Sequence, residues 1–453
     1  MSQDLLTQLA EYGEFCEEQQ WSVTADEVFD DLVGGVTPLL VASKGTRPRP
    51  GWLVAGITAT VVLVLGMLTF LTRQTATEAP MVSQPSPSPT VTTPAPIPST
   101  PIEESVSDWS RVPHDDTVFG GPGDQWMVDV TAGGPGLVAV GGDTVWTSVD
   151  GVSWSRVPHD ENVFGGGQMV SVTVGGPGLV VVGGDTVWTS VDGTSWSRVP
   201  YDDTVFGGAS INSVTVGGPG LVAVGEVNSD AAVWTSIDGV TWSRVPHDDT
   251  VFGGADDQVM NSVTVGGPGL VAVGFDGILE EYYVFSEEMN AAVWTSRDGI
   301  SWSRVPHDET VFGDGNDGIG TPAMLDVTVG GPGLVAVGVN RGEVPVWTSK
   351  DGITWTPIPT DWRVFDGGEI TSVTVGGPGL VAVGRGVYES ADGITWTSAL
   401  EADGPVSDEE MAYFPDSDGY VALESVTVGG PGLVAVGSVW RSDNDAAVWV
   451  WRD

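Results

Sequence analysis

Three kinds of side chain that usually carry protein chemistry are scarce in this chain. There is one cysteine, Cys16, which excludes an intramolecular disulfide and a cysteine-rich metal site. Four histidines in 453 residues are too few for most histidine-ligated metal clusters. Lys and Arg together number 16 against 61 Asp and Glu, a formal net charge of −45. Such a chain is a poor match for nucleic acid, whose phosphates require clustered Lys and Arg. Glycine and proline are plentiful, at 64 and 30 residues, and their placement helps divide the chain into four zones.

Residues 51–71, GWLVAGITATVVLVLGMLTFL, carry no charge over 21 positions. As a helix rising 1.5 Å per residue they would extend roughly 30 Å, the thickness of a bilayer core. A globular helix would need a polar face, and a cleaved signal peptide would have a shorter apolar stretch nearer the start. Lys44, Arg47 and Arg49 precede the run and only Arg73 closely follows it, so the positive-inside rule puts the N-terminus in the cytoplasm. The expectation is a single-pass type II signal anchor over 51–72 in the cell membrane, with the rest of the chain on the outer face. Residues 73–106 hold eight prolines among many Ser and Thr, without apolar periodicity, and read as an extended stalk. Residues 1–50 carry nine acidic and three basic side chains. Leu5, Leu6, Leu9, Tyr12 and Cys16 fall near helical spacing there, and Thr24 with Glu27 has capping-box spacing. This cytoplasmic segment is either a docking site for a partner or a tail that only precedes the anchor.

The rest of the chain is a tandem array. GGPGL occurs seven times, beginning at Gly133, Gly175, Gly217, Gly266, Gly330, Gly376 and Gly429. The two shortest spacings are 42 residues, the size of a four-stranded propeller blade. One unit reads as an alternating strand over 170–174, a Gly-Pro turn, and a continuous apolar strand over 179–182 buried on both faces. A third strand over 185–190 and a fourth over 195–199 follow, joined by a hairpin at Asp192 and Gly193. Such units cannot bury themselves singly, whereas a radial arrangement lets each blade cover its neighbour. The array opens with a lone fourth strand, 108–113, and ends on a third strand, 447–453, with no fourth after it. The fold class is therefore all-β: a seven-bladed propeller over 107–453 whose first strand completes the last blade, plus one N-terminal transmembrane helix.

The hairpin SVDGVSW, from Ser148 to Trp154, resembles the Asp-box of sialidase-like BNR repeats, in a form one residue shorter than usual. It recurs five times, placing Asp150, Asp192, Asp238, Asp298, Asp351 and Asp392 at one position and Trp154, Trp196, Trp242, Trp302, Trp355 and Trp396 at another. The resemblance covers 107–453, extends to membrane-anchored repeat proteins of high-GC bacteria, and implies the propeller fold. It implies that the Asp and Ser tie off the turn and that the Trp packs between blades. It does not imply the enzyme. Sialidases use an arginine triad and an Arg-Ile-Pro motif, whereas here five of the twelve propeller cations are repeated SRVP arginines (Arg111, Arg156, Arg198, Arg244 and Arg304) and Arg-Ile-Pro is absent. Trp146, Trp188, Trp234, Trp294 and Trp347, at a second fixed position, are expected to pack between blades as well.

Each histidine, His114, His159, His247 and His307, stands at one repeat position in P-H-D-[DE]-x-V-F-G, with Tyr201 and Thr360 in its place elsewhere. Duplication copies residues whatever their role, and these positions lie far apart around a ring, so they suit no shared metal ion. No nucleophile–base pair, phosphate loop or zinc signature is present. The departures from the repeat are more informative. Blade four carries an insertion over 275–291, and a long acidic linker over 401–420 enters blade seven. Both would emerge on one face of a propeller, where loops on a rigid scaffold commonly bind. The candidate binding residues are Asp276, Glu280, Glu281, Tyr282, Tyr283, Phe285, Glu287 and Glu288 in the first, and Asp408, Glu409 and Glu410 in the second. Their charge suits a polar or cationic partner, protein or glycan. Oxygen-rich loops would also suit Ca2+, although no specific motif supports it, and no other cofactor is expected. The leading expectation is a non-enzymatic, membrane-anchored interaction module. A glycan-directed sialidase-like hydrolase or lectin, and a sensor signalling through residues 1–50, are the alternatives.

Overall fold

The structure, a computed structural model, describes residues 109–452 apart from 122, 278, 281–283, 286–288, 314–321, 341–343, 361, 366–368, 402–419 and 441–443. Residues 1–50, 51–72 and 73–106, expected from the sequence to be a cytoplasmic segment, an anchor and a stalk, lie outside the described residues, and no described helix is long and apolar enough to cross a membrane. The array folds into seven four-stranded antiparallel sheets. In the first blade the strands are Asp129–Gly133, Gly136–Gly141, Thr144–Ser148 and Trp154–Arg156, each paired with the next. The first two meet in a two-residue turn closed by Gly133 and Gly136. Gly134 has φ +58° there, a conformation glycine adopts without a Cβ clash. The innermost strands of successive sheets neighbour one another in a closed ring, and that of blade seven (Tyr420–Gly429) returns to Asp129–Gly133 of blade one. The all-β seven-bladed propeller expected from the repeat is the observed fold.

Closure works as the first and last strands of the repeat array suggest. Trp109–Arg111 pairs antiparallel with the last strand, Asp445–Arg452, aligning Trp109 with Trp451 and Arg111 with Trp449. Blade seven is thus built from both ends of the domain.

The core is distributed as clusters between blades. The second strand of blade one shows the pattern: Leu137, Val138, Ala139 and Val140 are all fully buried, with alternate residues facing opposite neighbours. Leu137 and Ala139 pack with Val434 and Val436 of blade seven, while Val138 and Val140 pack with Leu179 and Val181 of blade two. Burying one Val or Leu contributes about 1.5–3 kcal/mol, more than the ~1 kcal/mol net of a typical hydrogen bond. The faces of the second strands therefore dominate the stability of each junction.

The two signature motifs interlock across these junctions. In the S-x-D-G-x-[ST]-W hairpin of blade two, Asp192 accepts from the amides of Thr194 (2.8 Å) and Ser195 (2.7 Å). The Gly193 amide donates to Ser190 Oγ at 2.9 Å, and the Trp196 indole donates to the Gly193 carbonyl at 2.9 Å. The resulting compact tip sits on the GGPGL turn of blade one. A Cβ on Gly193, at φ +78°, would stand 2.9 Å from Pro135 Cδ. Gly151 meets Pro431 of blade seven in the same way, so the hairpin–turn contact also spans the ring closure.

At the opposite end of each blade the histidine loops act as plugs. Phe119, Phe164, Phe206, Phe252, Phe312 and Phe365 are buried there. The buried Trp146, Trp188, Trp234, Trp294 and Trp347 donate their indole N–H to the carbonyl just before the Phe, at 2.7–2.8 Å. The SRVP arginines Arg111, Arg156, Arg198 and Arg304 lie 5.5–5.9 Å over Trp449, Trp146, Trp188 and Trp294. Repeated aromatic and cationic residues are thereby drawn into packing.

Trp109 is the residue on which closure can be tested. Its side chain is buried between blades six and seven among Val381, Val383 and Leu433, and its indole reaches Glu389 at 3.4 Å. Trp109→Ala should destabilise the propeller by about 3–5 kcal/mol in denaturant unfolding. Deleting 108–113 should abolish the single cooperative transition. Unchanged unfolding in both would show that the ring does not depend on this strand.

Candidate functional site

The propeller axis is lined by the beginnings of the seven innermost strands. Five of these strands shift register there, between Ile211 and Ser213, Met260 and Ser262, Met324 and Asp326, Ile370 and Ser372, and Leu423 and Ser425. Each shift inserts one extra residue, respectively Asn212, Asn261, Leu325, Thr371 and Glu424. Val128 and Val170 hold the corresponding place before Asp129 and Ser171 in blades one and two. These residues and those following them enclose an axial cavity of about 390 Å³. The second residue of each pair is Asp129, Ser171, Ser213, Ser262, Asp326, Ser372 or Ser425.

Most of these polar groups are engaged in a belt around the axis. Asp129 accepts from the Val172 amide of blade two (2.7 Å) and the Ser425 hydroxyl of blade seven (2.8 Å). Asp326 of blade five accepts from the Ser262 hydroxyl of blade four (2.7 Å) and the Val373 amide of blade six (2.9 Å). Ser171 and Ser213 accept from the Val214 and Val263 amides of the following blades, both at 3.3 Å. Asn212 and Asn261 donate to the carbonyls of Met260 and Met324, and Thr371 donates to that of Leu423 at 2.7 Å. A polar bond thus crosses each of the seven junctions near the axis.

The belt is electrostatically costly. Asp129, Asp326 and Glu424 open onto the cavity but are surrounded by protein on their other sides. Lost hydration pushes the Asp129 carboxyl up to about 6, against its bonds from Val172, Ser425 and Val130, with a further upward push from Asp326. Burial raises Asp326 in the same sense. Glu424 rises to about 7, first through burial and then through the like charge of Glu369, and it makes no hydrogen bond among the described residues. The lining offers carboxylates, hydroxyls and amides, with no imidazole, amine or guanidinium among them.

Of the candidate binding residues expected from the sequence, Asp276, Glu280 and Phe285 lie among the described residues. Strand pairing in blade four continues to Gly277 and resumes at Asn290, so the excursion proper is shorter than 275–291. Asp276, at its base, is held by Arg304 and by Gln258. Leu279–Glu280 and Val284–Phe285 form a small two-stranded hairpin that includes two of the candidate positions. Glu281, Tyr282, Tyr283, Glu287, Glu288, Asp408, Glu409 and Glu410 lie outside the described residues. Register places the base of the blade-four excursion beside the start of the innermost strand, where Asp257 pairs with Gly277. The 401–420 linker ends at the start of the blade-seven innermost strand.

The histidines are not brought together. His114, His159, His247 and His307 each lie 5.9–6.4 Å from the Phe of their own loop and bond an acid two residues on, Asp116, Glu161, Asp249 or Glu309. Among the described residues, no three His, Cys, Asp or Glu side chains converge on a metal site. Asp129, Asp326 and Glu424 were missed by sequence reasoning. The signal was available in the two positions before each V-T-[VA]-G, which vary while their surroundings are copied.

Titration should reveal the belt. A carboxyl whose pKa is higher folded than unfolded stabilises the fold below its unfolded value and loses that contribution as pH rises through its folded value. Asp129 and Glu424 therefore favour folding increasingly as pH falls from about 7 towards 4. The hairpin aspartates act oppositely: Asp150, held down to about 2 by the amides of Ser153 and Val152, stabilises above about 4 and fails below it. The melting temperature should peak between about pH 4 and 5. Asp129→Asn, which keeps one acceptor oxygen where Asp129 uses two, should melt below wild type at pH 4.5 and should lose less than wild type does between pH 4.5 and 8. Parallel profiles for the two proteins would contradict the assignment.

No family model matches the chain, and no curated protein matches it. Solved structures do match. The structure of YCF48 bound to D1 peptide is 14% identical with a TM-score of 0.49, and the match covers 77% of this chain and 97% of that one. Selenomethionine-substituted virginiamycin B lyase from Staphylococcus aureus is 10% identical at a TM-score of 0.43, covering 76% and 98%. A Trypanosoma rangeli sialidase in complex with sialic acid is 12% identical at 0.38, covering 75% of this chain and 58% of that one. At these identities and scores the likeness carries neither ligand nor activity to this chain.

Proposed function

We propose that this protein is a cell-surface interaction module: a propeller carried on the 73–106 stalk above the 51–72 anchor, binding a cationic protein partner on the face where 275–291 and 401–420 emerge. The observation that carries this reading is like-charge crowding at the end of the blades where the innermost strands begin. Glu424 is raised by burial and by Glu369, and Glu226 by burial and by Asp257, which are the conditions under which an incoming cation gains most. A hydrolytic centre finds less support, because Asp129 and Asp326 are tied into bonds between blades. The internally bonded S-x-D-G-x-[ST]-W tips support reading the repeat as a shortened Asp-box with a structural role.

Two measurements test this function. Binding of the full chain to an immobilised Lys/Arg-rich peptide should weaken steeply as salt rises and the Debye length falls below about 8 Å. Replacing 278–288, the part of the excursion beyond the paired strands, with a Gly-Gly-Asp turn, together with neutralising the acids of 401–420, should lower that affinity by about tenfold or more while leaving the melting temperature in place. Equal affinity in the altered protein would move the search to the opposite face. Protease added to intact cells expressing the chain should remove the propeller and spare an N-terminal tag. A protected propeller would rule out the surface location.

A further inference from the structure

A second cavity, of about 370 Å³, lies away from the axis between the Gly141–Thr144 turn of blade one and residues 166–168 at the entrance to blade two. Its volume falls within the roughly 300–1,000 Å³ range of small-molecule sites. One wall is Trp126, which belongs to neither repeated tryptophan position. It precedes the buried Met127. In the other blades the place before the corresponding buried residue is held by Gln168, Ser210, Val259, Ala323, Glu369 and Ala422. Duplication therefore does not account for an aromatic ring here, and the ring is not consumed by the core, since Trp126 is only half-buried.

Three polar side chains around it are uncommitted among the described residues. The indole N–H of Trp126 and the side-chain amides of Gln125 and Gln168 make no hydrogen bond among the described residues. The repeat-position tryptophans Trp146 and Trp154, by contrast, both donate to backbone carbonyls at 2.8 Å. Asp124 and Asp143 also line the cavity. Asp124 accepts from the Asn444 amide at 3.0 Å and Asp143 from Thr144 Oγ1 at 3.3 Å.

We infer that this cavity is a subsite for an uncharged pyranose saccharide, with Trp126 as the stacking platform and Gln125 and Gln168 as hydrogen-bonding arms. A pyranose offers an apolar C–H face to an aromatic ring and hydroxyls that both donate and accept, which satisfies an indole N–H and two amides together. A sugar carboxylate would face Asp124 and Asp143 without a cation in the lining. A ligand ammonium would leave the N–H donors of Trp126, Gln125 and Gln168 unpaired, because a cation accepts no hydrogen bond. This inference is independent of the proposed cationic protein partner.

The test is calorimetric titration of the full chain with cellohexaose, chitohexaose and mannohexaose, with 3′-sialyllactose and tetramethylammonium as charged controls. At least one neutral oligosaccharide should bind with a Kd at or below about 1 mM. Trp126→Ala should weaken it at least about tenfold, Trp126→Phe should retain most of the affinity, and Gln168→Ala should lose several-fold. Melting temperatures should be unchanged in all three variants, and replacing 278–288 should leave saccharide binding intact. Absence of binding by every neutral probe, binding confined to tetramethylammonium or sialyllactose, or undiminished binding by Trp126→Ala would each overturn the assignment.

Discussion

Each blade is a thin sheet with two apolar faces, and no blade is thick enough to bury either of them. The second strand makes the difficulty concrete: alternate residues of Leu137, Val138, Ala139 and Val140 face opposite neighbours, and all four are fully buried. Only another blade on each side can provide that cover, and only a closed ring provides it for every blade. The pairing of Trp109–Arg111 with the last strand follows from this requirement, since an incomplete seventh blade would leave one junction open.

Packing at the junctions also explains which residues repeat. Gly193 is small because Pro135 of the preceding blade stands against it, and the internal bonds of Asp192 and Ser190 hold that tip in shape. At the other end of the blade, the buried Phe and the indole bond from the Trp pin the loop that carries the histidines. The Asp and Arg at fixed spacing that look catalytic in a sequence shape the hairpin tips and cover the buried Trp, while each His bonds an acid of its own loop. Their regularity comes from the regularity of the junctions.

Function is expected where the repeat is broken. The belt positions near the axis are freed from the pattern because they contribute little to the apolar junctions, so Ser, Asn, Asp, Thr and Glu all occur there. Asp129 and Asp326 use that freedom to tie three blades each, at an electrostatic cost that shows in their raised pKa values. Glu424 shares the cost without the bonds, and Trp126 presents an aromatic wall that no other blade repeats. These two departures give the end of the blades where the innermost strands begin a chemistry that the copied framework lacks.

The sequence by itself determined the number of blades, the order of strands within them and the closing strand. Each of these depends on local turn chemistry and on alternation repeated along the chain, as in GGPGL and S-x-D-G-x-[ST]-W. The buried role of the repeated tryptophans was legible for the same reason. Tertiary structure alone decided which residues meet. Val172 lies 43 positions from Asp129 and Ser425 lies 296 positions from it, and only closure of the ring sets their bonds to one carboxylate. Register shifts of a single residue turned Asn212, Asn261, Thr371 and Glu424 towards the axis, a choice made by twist and pairing between strands that periodicity does not encode.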